Sequence, residues 1–366
     1  MKSSINREQL VKPLHQGAAV VEKRQTLPVL SNVLMEVGDG QLSLTGTDLE
    51  LELVARLPLE GEHQSGETTV PARKLVDIAK SLPAEADIRF EVDGERMLVR
   101  SGRSRFSLAT LPASEFPNQE EDNSGSVLEI APQTLRQLID HTAFSMAQQD
   151  VRYYLNGMLF ELRSGMLRAV STDGHRLALC DAALEGQSEE AGVILPRKGV
   201  MELARILSDA AENARLTLGR NHIRIVAGSI TFTSKLVDGK FPEYERVIPK
   251  DGSRVVMADR ETLRQALSRV AILSNEKYRG VRVQLSEGSL RIVANNPEQE
   301  EAEEEVSVDY QGGPLEIGFN VSYLLDVLNT MDGTQARLEL GDSNSSALIT
   351  DPEHEAAIYV VMPMRL

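Results

Sequence analysis

The chain has 366 residues, 41% hydrophobic and 26% charged, which allows two or three soluble domains with cores of their own. One cysteine excludes disulfides and cysteine-based metal sites within a chain, and with no apolar run of membrane or signal-peptide length the expected compartment is the reducing cytoplasm. A net charge of −16 argues at first sight against anionic partners.

An amphipathic helix opens the chain, with Leu10, Leu14, Ala18 and Val21 at helical spacing. A hairpin follows, residues 33–37 against 42–45, turning at Gly40, where positive φ costs glycine little. The next helix carries Leu75, Ile78, Ala79 and Leu82 and starts near Pro71, where a missing N–H is harmless. Beyond it lie a basic cluster, Arg96, Arg100, Arg103 and Arg105 with Phe106 and Leu108 interleaved, then Phe116-Pro117 and a polar connector at 119–126.

The same order then recurs. Leu135, Leu138, Ile139, Thr142 and Met146 mark a helix, 158–162 and 167–171 a hairpin about Gly165, and Val200, Leu203, Ala204 and Leu207 a second helix after Pro196. Phe241-Pro242 follows Phe116-Pro117 by 125 residues, ahead of a second connector at 249–253. A third round sets helices at Leu263, Ala266, Leu267 and Val270 and at Val321, Leu324, Leu325 and Leu328, with a hairpin, 281–285 and 290–294 about Gly288, between them. The decapeptides DGQLSLTGTD (39–48), SGMLRAVSTD (164–173) and EGSLRIVANN (287–296) carry the repeat, at offsets of 125 and 123. Such a period is too long for a solenoid unit and means tandem domains. The fold class expected is α+β: three copies, over 1–125, 126–252 and 253–366, each with two helices on an antiparallel sheet of roughly eight strands.

Charge is unevenly spread. The helix segments 7–21, 71–83, 131–147, 196–209, 259–277 and 320–331 together carry +4, which leaves −20 on the rest of the chain. Ordinary solvated helix faces account for this, but so does a shared positive surface. Packed around a ring at about 8–10 Å between axes, six helices leave an opening of under about 10 Å, and twelve from two chains roughly 20–28 Å. Only the larger admits a nucleic-acid duplex. The acidic run EQEEAEEE at 298–305, in the last copy, complements the basic cluster of the first and suits a head-to-tail contact between two chains. A solvated acidic loop is the other reading.

No phosphate-cradling loop, dinucleotide fingerprint or nucleophile elbow is present, and the six histidines form no ligand-spaced pair. Catalysis, metal and cofactor are therefore not expected. Asp173 and His175 would suit an acid/base pair, yet Asp in a Thr-Asp-Gly-His stretch more often bonds its own backbone, and that reading is taken here.

The stretches TLPVLSN (26–32), LTGTDLE (44–50), QDVRYYLNGMLFE (149–161), STDGHRLA (171–178), TSKLVDGKFPEY (233–244), AILSNEKYRGVR (271–282), NNPEQEEAEE (295–304) and YVVMPMRL (359–366) resemble the bacterial DNA sliding clamps, the beta subunits of DNA polymerase III. The resemblance spans the chain. It implies a head-to-tail homodimeric ring with helices lining the hole. Such a ring encircles double-stranded DNA without regard to sequence and tethers the polymerase. The implied partners are a second copy, the DNA polymerase III catalytic subunit, the clamp loader, and other DNA polymerases and repair proteins; no membrane is involved. A rival reading is a three-domain protein-binding scaffold that does not encircle DNA.

Matched residue by residue, the resemblance implies DNA contacts at Arg24, Arg73, Gln149, Tyr153, Tyr154 and Lys198. These suit loose phosphate contact and stacking rather than base reading, as sliding demands. It implies a partner-peptide pocket at Leu155, Thr172, Gly174, His175, Arg176, Leu177, Pro242, Arg246, Val247, Asn320, Tyr323, Ser346, Val360, Met362, Pro363, Met364 and Arg365, whose methionines suit many partners. Asn344 departs from the apolar residue of the family. The dimer seam implied comprises Arg96, Arg103, Arg105, Phe106 and Leu108 against Ile272, Leu273, Glu300, Glu301 and Glu304. On sequence alone Ile272 and Leu273 also fit ordinary core at a helix end.

Overall fold

The computed structural model describes residues 1–21, 27–117, 125–184, 190–208, 210, 212–250 and 252–365. Among them are six α-helices: α1 (Arg7–Ala19), α2 (Ala72–Ser81), α3 (Pro132–Thr142), α4 (Arg197–Leu207), α5 (Arg260–Val270) and α6 (Val321–Thr330). Each copy of the repeat supplies two of them and eight strands, in the order its periodicity predicts. Side chains cap three helix starts: Asn6 accepts from Glu8 N at 2.9 Å, Asp259 from Thr262 N at 2.8 Å and Asn320 from Ser322 N at 2.9 Å. α3 stops earlier than the apolar spacing through Met146 suggests, because it tightens into the 3-10 turn Ala143–Ser145; α5 ends at Val270 as its spacing suggests, and a 3-10 turn, Ala271–Leu273, follows. The hairpins turn at Gly40, Gly165 and Gly288 with φ of 73°, 77° and 73°. Asp39 and Ser164, just before two of these glycines, are left-handed as well, the arrangement that matches the twist of the flanking strands.

Two compact units form, Met1–Gln133 with Met201–Leu236 and Thr134–Val200 with Val237–Leu366, so the central copy is divided between them. In the first unit an eight-stranded antiparallel sheet runs Gly66–Pro71, Asn32–Gly38, Gln41–Thr47, Leu51–Pro58, Ile230–Lys235, His222–Ala227, Ala214–Leu218, Ser126–Ile130. At its middle a first-copy strand meets a central-copy strand, with Phe232 opposite Leu53. A four-stranded sheet, Lys2–Asn6, Asp87–Asp93, Arg96–Ser101 and Ser104–Ala109, completes the unit. α1 packs across strands Gln41–Thr47 and Leu51–Pro58. The approach is close: a Cβ on Gly46 would lie 1.9 Å from Gly17 O.

The second unit repeats this plan. Its eight-stranded sheet runs Ala191–Pro196, Gly157–Arg163, Met166–Thr172, Arg176–Ala183, Ala357–Val361, Ala347–Thr350, Gln335–Leu340, Arg254–Asp259, and Tyr359 stands opposite Ala178 at the joint. The four-stranded sheet here is Glu301–Ser307, Ser289–Asn295, Gly280–Ser286 and Leu315–Asn320, with α5 across its first two strands. Among the described residues each four-stranded sheet has two edge strands, paired on one side only; Ser104–Ala109 is one of them in the first unit and Glu301–Ser307 in the second.

Candidate docking site and nucleic-acid interface

The polar cluster at Thr172–Arg176 is a tight turn between two strands of the second unit. Thr172 Oγ1 donates to Arg176 O at 2.6 Å and accepts from Gly174 N at 3.1 Å. Asp173 Oδ1 accepts from His175 N and Arg176 N at 2.8 and 3.0 Å, and Gly174 takes a φ of 90°. The first copy builds the same turn without a histidine: Thr47 Oγ1 donates to Leu51 O at 2.7 Å, and Asp48 Oδ1 accepts from Glu50 N and Leu51 N at 2.9 and 2.7 Å. Asp173 is therefore a turn residue, as its neighbours suggest.

Arg176 organises what lies beyond the turn. Its Nε donates to Asp173 Oδ2 at 3.1 Å, its Nη2 to Phe144 O at 2.8 Å, and its Nη1 to Asp326 of α6. The guanidinium lies over the rings of Tyr323, 4.5 Å away, and Phe144, 5.4 Å away. Tyr323 also stacks on His175 with centroids 6.5 Å apart, and burial raises its phenol pKa. Arg152 holds the outer side, donating to Asp173 O at 3.2 Å while pairing with Asp150, whose carboxyl its hydrogen bonds hold down at about 2. Sequence reasoning missed Asp150, Arg152, Phe144 and Asp326. Phe144 and Asp326 meet Arg176 from 32 and 150 residues away, and Arg152 reaches Asp173 O across 21, so no local pattern announces them; Asp150 pairs locally with Arg152.

Next to the turn is an apolar floor. Leu177 and Val360, opposite each other in the ladder, cluster with Leu159, Val170, Leu179, Ile194, Phe241 and Tyr244, and Tyr154, Val237, Ile248, Leu348 and Ile358 pack against them. Ile358 and Val360 alternate with Tyr359, whose hydroxyl meets His141 of α3 at 2.9 Å, so the floor faces away from the helices. Leu155 is buried in the chain's own core. Pro242, Arg246 and Val247 are exposed on the segment that borders the floor, and Arg246 pairs with Glu243 at 2.6 Å. Met362 N donates to His175 O and Met364 N to Gly318 O, both at 2.9 Å, which ties Met362 to the turn and Met364 to strand Leu315–Asn320, with Pro363 between them. Asn320 is spent on capping α6; Ser346 precedes strand Ala347–Thr350, and Arg365 is exposed beyond the last strand.

Of the residues expected to touch DNA, Arg24 lies outside the described residues. Arg73 is exposed in the first turn of α2, and Lys198 in the first turn of α4. Gln149 is exposed with a φ of 57°, and beside it Tyr153, 58% exposed, meets Tyr154 edge to face at 5.8 Å. Several helix cations are neutralised on their own helix: Arg136 by Asp140 at 2.7 Å, Arg264 by Glu261 at 2.6 Å, and Arg205 by Glu202. At the free edges, Arg103 and Arg105 are exposed, Phe106 is half-buried, Leu108 is buried in its own unit, and Arg96 Nε donates to Ser107 Oγ at 2.7 Å. Ile272 is 76% exposed, which sets aside the core reading for it, while Leu273 is half-buried. Glu304 pairs with Arg269 at 2.6 Å, Glu300 accepts from Asn296 at 2.7 Å, and Glu301 is exposed.

Repeated α+β copies joined strand to strand, with an apolar floor on one joint, define a protein of the sliding-clamp class. Profiles of the DNA polymerase III beta subunit match in series: the N-terminal domain at residues 1–120, the central domain at 129–243 and the C-terminal domain at 245–365. The beta sliding clamp of Pseudomonas putida is 61% identical over 367 residues, and that of Escherichia coli K12 is 54% identical over 366, each alignment covering all of both chains. A crystal structure of the Pseudomonas aeruginosa sliding clamp bound to griselimycin superposes with a TM-score of 0.98 at 60% identity, again over the whole of both chains. The chain belongs to the DNA polymerase III beta subunit family, and its function is that of a DNA sliding clamp. No helix among the described residues is long and apolar enough to cross a membrane.

Proposed function

We propose that two copies, each of three domains over 1–125, 126–252 and 253–366, close head to tail into a cytoplasmic ring that encircles duplex DNA with its helices toward the hole. Two of the sheet edges carry this reading. Within the chain, strand Leu51–Pro58 pairs with Ile230–Lys235, and Arg176–Ala183 pairs with Ala357–Val361. The third copy's equivalent of the first partner is Glu301–Ser307, and the first copy's equivalent of the second is Ser104–Ala109. Among the described residues both stand at sheet edges where their equivalents are paired, and exposed edges invite pairing. Transferring the internal register sets Phe106 opposite the partner's Ala302, Arg105 opposite the partner's Glu303 and Arg103 opposite the partner's Glu305, so opposite charges face each other along the joint. In the second unit Phe144 lies 5.9 Å from Tyr359, and Ile272 holds the equivalent place beside the edge, which suits contact with Phe106 of a second copy.

The ring holds DNA by closure, with Arg24, Arg73, Gln149, Tyr153, Tyr154 and Lys198 making weak, sequence-independent contacts that permit sliding. The floor at Leu177 and Val360, walled by Arg176, His175 and Tyr323, docks short apolar peptide segments of the polymerase catalytic subunit, the clamp loader and other replication and repair proteins. The protein works without catalysis or cofactor. After loading, it should remain on nicked circular duplex and leave the linearised form within seconds to minutes, followed by gel filtration of labelled protein. Equal retention on both forms would sink the ring and favour the scaffold that does not encircle DNA.

A further inference from the structure

One helix position recurs wherever two copies of the repeat meet. It is Gln16 in α1, two residues after Leu14; His141 in α3, two after Ile139; and Arg269 in α5, two after Leu267. An aromatic position recurs across from it. Leu128, Leu216 and Ile225 lead rung by rung to Phe232; Val256, Leu338 and Ile349 lead to Tyr359; and Ser3, Phe90 and Val99 lead to Phe106. In the second unit the pair is made, His141 Nδ1 to the Tyr359 hydroxyl at 2.9 Å. In the first unit Gln16 and Phe232 are both buried, and the Gln16 amide nitrogen has no acceptor.

The third pair is unmade within one chain. Arg269 lies along the open strand Glu301–Ser307, its Nε and Nη2 bonded to Glu304 at 2.6 and 3.1 Å, with 54% of its side chain exposed. Phe106 is half-buried on the other edge strand, and the transferred register gives it the small Ala302 as its neighbour across the joint, beside the strand that Arg269 lies along.

We infer that Arg269 of one copy closes over the Phe106 ring of the other, with Glu304 fixing the plane of the guanidinium. The inference rests on the head-to-tail reading. A guanidinium held flat by a bidentate carboxylate keeps one face for an aromatic ring, and closing the joint removes the water that would otherwise screen it. The third joint is thus a cation–aromatic pair where the internal joints use a hydrogen bond or plain packing. It is also the joint that must open for loading.

The experiment rebuilds the second unit's pair at the seam of the full-length protein. Arg269→His should raise the dimer dissociation constant by about tenfold in sedimentation equilibrium, and Arg269→Lys, which keeps charge but cannot lie flat, by about fivefold. Arg269→His with Phe106→Tyr restores the His–Tyr pair and should return to within about threefold of the parent. Thermal melts of the dilute monomers should stay together. A dissociation constant for Arg269→His within twofold of the parent overturns the inference, as does a double variant no tighter than Arg269→His alone. A parent chain that stays monomeric overturns the head-to-tail reading itself.

Discussion

The face turned from the helices carries Thr45, Glu52, Val54, Thr69, Thr231 and Thr233 in the first eight-stranded sheet. The same register positions of the second sheet carry Val170, Leu177, Leu179, Ile194, Ile358 and Val360. The backbone plan is identical, and the chemistry is not. In the first sheet the polar groups satisfy one another: Asn32 Nδ2 donates to Thr69 Oγ1 at 2.9 Å, Thr69 Oγ1 to Leu111 O at 3.0 Å, and Arg56 Nη1 to Thr231 Oγ1 at 2.9 Å. Such a face has little to gain from a partner. The second face keeps a packed apolar cluster with an arginine and two aromatic rings beside it. The same backbone plan therefore presents a hydrogen-bonded polar face at one joint and an apolar floor at the other through side-chain choice alone.

The helix sides of the two joints differ in a way that can be tested too. Gly46 lets α1 lie directly on its strand, whereas the equivalent Ser171 stands off and donates its hydroxyl to Thr142 O. Leu177→Glu gives the second face the residue of the first, Glu52, at a site 2% exposed. It should cost about 3–5 kcal/mol in a urea melt and weaken binding of a labelled C-terminal peptide of the polymerase catalytic subunit by at least about a hundredfold. Peptide affinity within twofold of the parent would place docking elsewhere. Gly46→Ser copies the second joint into the first and should destabilise by about 1–3 kcal/mol, since backbone rather than a flexible side chain meets the new Cβ. A melt unchanged by Gly46→Ser would mean that α1 shifts freely, against the close approach described. The smallest effect belongs to Phe232→Tyr, which supplies the acceptor that Gln16 lacks and should raise stability by about 0.5–1.5 kcal/mol. A loss of stability instead would mean that the hydroxyl has no room beside the Gln16 amide.

Much of the site was legible from its local chemistry. The Thr-Asp-Gly-His turn, its glycine and the strands on either side follow from residue type, because turn bonds join neighbours in the chain. What Arg176 does there was not legible. Phe144 and Asp326 lie 32 and 150 residues away from it, and only folding brings them to the guanidinium. Nor was the pairing of charges legible: Arg136, Arg205 and Arg264 each meet a carboxylate on their own helix, which leaves the net helix charge of +4 as it was but uses up these three cations locally.

By itself the amino-acid sequence determined the three-fold repeat, the helices and hairpins of each copy, and the family, because periodicity and turn residues act over a few positions and long identical motifs are specific. Tertiary structure alone decided that the central copy is shared between two units, that Ser104–Ala109 and Glu301–Ser307 stand at sheet edges, and which joint carries an apolar floor. The physical reason is that strand pairing across hundreds of residues is set by register and burial, which exist only once the sheets have formed.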